Sequence, residues 1–63
     1  MKVTIEIYEE PVLNGEDLCD YVRQASAMIN YNIGPEPLRA TRGPLYHDPV
    51  KADRMVGSWA VEL

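Results

Sequence analysis

The chain has 63 residues, a net charge of −4 and an apolar fraction of 46%, which makes it one folded domain at most and excludes general disorder. Its single cysteine, Cys19, rules out an intrachain disulfide, and there is no Cys/His cluster to hold a zinc ion. No apolar run approaches the ~20 residues of a membrane span, and the acidic, alternating start MKVTIEIYEE does not read as a signal peptide.

A domain this small buries only about 60% of its unfolded surface. Such chains usually need a staple. With disulfide and zinc excluded, self-association is the expected staple, a dimer before any larger assembly. A lone thiol fits a reducing, cytoplasmic location. Residues 1–31 carry the whole net charge, with Lys2 and Arg23 against six acids, while residues 39–54 are locally +2. A dominant basic face is missing, which disfavours direct nucleic-acid binding.

KVTIEIY alternates strictly and predicts a strand over 2–8, with Val3, Ile5 and Ile7 on one face and Lys2, Thr4, Glu6 and Tyr8 on the other. Pro11 ends it. Asn14 has the chemistry of a helix N-cap. Glu16 and Asp17 follow in the first turn, where acids suit the helix dipole, and Leu13 and Leu18 have the spacing of a hydrophobic staple. The helix is predicted over 15–31, about four turns. Leu18, Val22, Ala25 and Ile29 form its apolar stripe, flanked by Tyr21 and Met28 on one side and by Cys19 and Ser26 on the other. Gly34 and Pro35 stop it.

Pro35, Pro37, Gly43, Pro44 and Pro49 punctuate residues 34–54, predicting an irregular loop with only LRATR, residues 38–42, as a candidate edge strand. A last strand is predicted over 55–63, with Trp59, Val61 and Leu63 joining Val3, Ile5 and Ile7 beneath the helix. The expected fold class is α+β: a small β-α-(β)-β domain in which one amphipathic helix packs on a two- or three-stranded sheet. Such a sheet has edges and one uncovered face. Tyr8, Tyr21, Met28 and Trp59 are the candidate contacts for an oligomer or a partner.

No catalytic set emerges. Cys19 and His47 are the only nucleophile–base pair available, but the acids at 16, 17 and 20 oppose a thiolate, and a small, partly buried apolar Cys19 is the simpler expectation. Glu9, Glu10, Glu16, Asp17 and Asp20 follow helix-capping logic and lack calcium-loop spacing. No metal and no cofactor is expected. Arg39, Arg42, Tyr46, His47, Lys51 and Arg54 form the one cluster with ligand-binding character, since guanidinium forks suit phosphates and carboxylates. The alternative is a solvated loop whose charges pair internally with Asp48 and Asp53.

MKVTIEI at the start, one capped helix and RMVGSWAVEL at the end resemble small uncharacterised accessory proteins encoded by bacteriophages, which close on a V-G-x-W strand. The proline-rich middle departs from that pattern. The resemblance brings no catalytic residues. It implies a class that binds and blocks a host protein, defence systems included, within an infected bacterial cell. Three readings therefore stay open: a non-catalytic inhibitor of a host protein, an oligomer that binds a phosphorylated small ligand or nucleotide through the basic loop, and a structural module of a virion.

Overall fold

The computed structural model describes residues 1–8 and 14–63. The expected roles of Pro11, of Leu13 in a staple, and of Glu9 and Glu10 lie outside the described residues. The chain folds as strand β1 (Lys2–Ile7), helix α1 (Gly15–Ile33), strand β2 (Thr41–Tyr46) and strand β3 (Met55–Glu62). The strands form one antiparallel sheet in the order β1-β3-β2, with α1 packed on one face. This is a small α+β fold. β1 and β2 run parallel to each other on either side of β3, a split β-α-β arrangement.

The helix begins where its capping chemistry puts it. The Asn14 side chain accepts a hydrogen bond from the Asp17 backbone N–H at 2.8 Å, using one of the donors that a helix start leaves unpaired. It ends two residues later than the periodicity predicts, at Gly34, whose φ of 59° is open to glycine at little cost. The Gly34 N–H bonds the Asn30 carbonyl at 2.7 Å.

The core is built from Tyr21 and Ala25 of α1, Leu45 of β2, and Val56 and Trp59 of β3, with Ile5, Ile7, Met28 and Ile29 packed around them. This differs from the expected stripe by a rotation of the helix. Tyr21 and Met28, expected at a flank as contact residues, face the sheet; Leu18 and Val22, expected beneath the helix, are 48% and 41% exposed. Trp59, a candidate contact residue, is 1% exposed and belongs to the core. Val3 and Leu63, expected in the core, are exposed.

β2 is also longer and later than the candidate strand at 38–42. It contains Gly43 and Pro44, the residues that read as a break. Two packing facts explain them. Trp59 pairs with Gly43 across the ladder, and a Cβ at Gly43 would stand 2.7 Å from the indole Cζ2. Pro44 sits on an edge strand, at a position where its nitrogen faces away from the sheet. The direction follows from its neighbours. The His47 N–H points inward, to the Arg54 carbonyl at 2.9 Å, and backbone groups alternate sides along a strand, so Arg42, Pro44 and Tyr46 point outward.

β3 is the central strand, and it is bulged. Leu45 pairs with Gly57, while Tyr46 pairs with Met55. Val56 is thus the extra residue, and the bulge turns it into the core, where strict alternation from Trp59 would have faced it outward. At Gly57 a Cβ would overlap the Glu6 carbonyl oxygen of β1. Gly57→Ala should therefore destabilise the fold by about 1–3 kcal/mol, the cost typical of overpacking. It should cost more than Gly43→Ala, because at Gly57 the obstacle is backbone and at Gly43 it is a side chain. Urea unfolding followed by Trp59 fluorescence measures both.

Candidate functional site

The six residues of the expected ligand cluster are divided among three places. Arg39 lies in the segment after α1. Its guanidinium donates to the Asn32 carbonyl at 2.5 Å and stands 3.7 Å from Glu36. It serves the helix C-terminus, where a cation is favoured. Arg42 lies on β2, opposite Ala60. Tyr46, His47, Lys51 and Arg54 lie around the β2–β3 connection, four or more residues along the chain from Arg42, and Arg42 to Tyr46 alone spans about 13 Å of extended strand.

The connection, residues 47–54, is organised by its two aspartates. Asp53 Oδ1 accepts from the backbone N–H groups of Asp48 at 2.9 Å and Arg54 at 2.7 Å, and Asp53 Oδ2 lies 3.3 Å from His47 Nδ1. Asp48 Oδ1 accepts from the N–H groups of Val50 and Lys51. The Ala52 N–H bonds the Asp48 carbonyl at 2.8 Å, and Ala52 itself sits in the left-handed region at φ 49°. These are Asx-type turn bonds, which let a carboxylate stand in for backbone partners. The stretch GPLYHDPVKADR is thus half strand and half self-bonded turn, and its two carboxylates and His47 are engaged within it.

Tyr46 is held by the helix. The Gln24 carboxamide accepts from the Tyr46 N–H and donates to the Tyr46 carbonyl, both at 2.8 Å. The side chain therefore acts as a short neighbouring strand, closing the outer edge of β2 at that point. Nothing in the composition of α1 marks Gln24 for this role. The nearest signal is its place on the helix wheel, next to Tyr21 and Met28.

Cys19 is exposed rather than partly buried. It lies about 140° around the helix from Gln24, so it is on the far flank from His47 and the two form no pair. Among the described residues, no group of three or more His, Cys, Asp or Glu side chains could hold a metal ion. Among the same residues, no helix is long and apolar enough to cross a membrane.

The remaining surface is the sheet face opposite α1. Thr4 and Glu6 of β1, Tyr8 just after it, Ser58 and Ala60 of β3, and Arg42 and Pro44 of β2 line it, and Met55 lies at one end. The Tyr8 hydroxyl and Ser58 Oγ are 2.9 Å apart, so Tyr8, a candidate contact residue, lies over this face. The side chains between β2 and β3 are short, which leaves a shallow depression of about 520 Å³ with Arg42, Pro44, Met55, Ser58 and Ala60 around it. Arg42 makes no ion pair among the described residues.

No known family model, curated protein or solved structure matches this chain.

Two outcomes follow from the connection and its anchor. Hydrogen bonding to the Asp48 N–H, opposed by desolvation and aided by the Arg54 N–H and by His47, holds the Asp53 carboxyl below the usual carboxylate range. A depressed folded value contributes order that is complete above the unfolded pKa of about 3.9 and is lost as pH falls through the folded value. The amide resonances of Asp48 and Arg54 should move as pH falls below about 4, and Asp53→Asn should remove most of that low-pH transition in an NMR titration. Gln24→Ala, which removes both bonds to Tyr46, should cost about 1–3 kcal/mol in urea unfolding, since two backbone groups lose their partners.

Proposed function

We propose that this chain is a non-catalytic protein-binding module that uses the uncovered face of its sheet. The observation that carries this reading is the makeup of that face: a shallow, mostly small-side-chain depression with an unpaired Arg42 in it and Met55 and Tyr8 near its margins. Arginine, methionine and tyrosine are enriched at protein interfaces, and short side chains let a partner approach the sheet. The occupant that fits is a protein surface presenting apolar side chains together with one carboxylate for Arg42.

The resemblance to small phage accessory proteins supports a host protein as the partner and blockade as the outcome of binding. A phosphorylated ligand held by the basic cluster is the weaker reading. Arg39 is committed to the helix end, His47 lies against Asp53, and the carboxylates of Asp48 and Asp53 are occupied by backbone N–H groups of the connection. The virion reading has no observation of its own to favour it.

Affinity capture from bacterial lysate should retrieve one protein in fixed stoichiometry. Arg42→Glu and Ala60→Arg should each weaken that complex at least about tenfold, the scale of a central interface residue. The purified target should lose activity in proportion to bound chain. Equal capture by both variants would overturn the assignment of this face, and the absence of any stoichiometric partner would overturn the binding reading.

A further inference from the structure

The two edges of the sheet are built differently. At β2 the Tyr46 N–H and carbonyl are taken by Gln24, and Pro44 has no N–H to offer. At β1 the Tyr8 N–H points inward, to the Val56 carbonyl at 2.7 Å. Alternation then turns the N–H and carbonyl groups of Val3, Ile5 and Ile7 outward. Among the described residues these outward groups have no partner, and neither a proline nor a bulge interrupts the strand; of the devices that blunt an edge it carries two exposed charges, Lys2 and Glu6.

The side chains beside this edge are those a single chain leaves uncovered. Gln24 pins α1 towards β2, so Leu18 and Val22 lie on the helix flank turned towards β1. Both are exposed, and Val3 on β1 itself is 51% exposed. On the opposite face Lys2 and Glu6 are exposed and make no ion pair among the described residues.

We infer that β1 pairs with β1 of a second copy, antiparallel, to make a continuous six-stranded sheet. Charge selects the register. Only pairings that set outward groups against outward groups can form the ladder. Among these, the one centred on Thr4 sets Lys2 opposite the partner's Glu6 and Glu6 opposite the partner's Lys2. It also sets Thr4 opposite the partner's Thr4, and Val3 opposite the partner's Ile5. Opposite charges and Thr–Thr pairs are favourable cross-strand neighbours. Centring the pairing on Ile5 instead would put Lys2 opposite Tyr8 and Glu6 opposite Thr4, with neither charge answered. The twofold axis stands perpendicular to the sheet, so both helices share one face, with Leu18 and Val22 of each flanking the new seam. This pairing does not depend on the proposed binding role of the other face.

Sedimentation should show a particle of two 7.1 kDa chains. Glu6→Lys and Lys2→Glu each turn two attractive pairs into two repulsive ones, and each variant alone should dimerise at least about tenfold more weakly. Mixed in equal amounts they should form a heterodimer of restored affinity, because each chain then supplies the charge that the other lacks. Far-UV circular dichroism of each variant checks that it is folded. In the native dimer the amides of Val3 and Ile5 should be protected from hydrogen exchange. A monomer at about 0.1 mM, a mixture that fails to restore the dimer, or free exchange at Val3 and Ile5 would each overturn the pairing.

Discussion

The indole of Trp59 lies against Gly43 of the neighbouring strand, in space that any side chain at position 43 would occupy. Trp59 is the largest fully buried side chain, and it sits on the central strand, between β1 and β2. With the ring held down over β2, the helix above can approach closely only through a small residue, and Ala25, fully buried in the same cluster, is that residue. Tyr21 and Met28 then close the β2 side of the core. Much of the hydrophobic stabilisation of so small a core rests on this arrangement, since a single aromatic of this kind buries on the order of 200 Å².

The same contact explains why the two ends and the helix were legible in the sequence while the middle was not. The alternation of β1 and β3, the Asn14 cap and the Gly34 stop are local signals, and they place the two strands and the helix, although Val3 and Leu63 are exposed and the bulge turns Val56 inward. Gly43 and Pro44 carry local signals too, but they mean something different here. The glycine leaves room for a tryptophan 16 positions later, and the proline faces the outside of an edge strand. Both functions depend on the partner strand, so a reading from propensity takes them for a break. The helix face is misjudged for a related reason. Hydrophobicity alone puts Leu18 and Val22 at the centre of the stripe, whereas a polar residue, Gln24, fixes the rotation by bonding to Tyr46.

The basic cluster shows the limit of counting charges along a chain. Four cations within residues 39–54 read as one surface, yet strand geometry spreads them, and turn chemistry recruits Asp48 and Asp53 to the backbone and to His47. The groups left with interaction capacity come from separate parts of the sequence, Arg42, Met55, Ser58 and Ala60, which a sheet alone can bring side by side. No spacing rule reaches such a set, because its members are joined by ladder register and not by sequence distance.

The difference between the two edges also limits what the sheet can become. A strand whose outer groups are free can recruit another, and a sheet with two such edges would go on growing as an open fibre. In the dimer inferred above, growth through β1 consumes the edge that proline and Gln24 leave unguarded among the described residues. What then faces outward on both sides is β2, where Gln24 occupies the backbone of Tyr46 and Pro44 offers no donor. An isologous β1 pairing is therefore closed at two chains. The closure comes from a proline on the far strand and from a glutamine of α1 that also fixes the rotation of the helix.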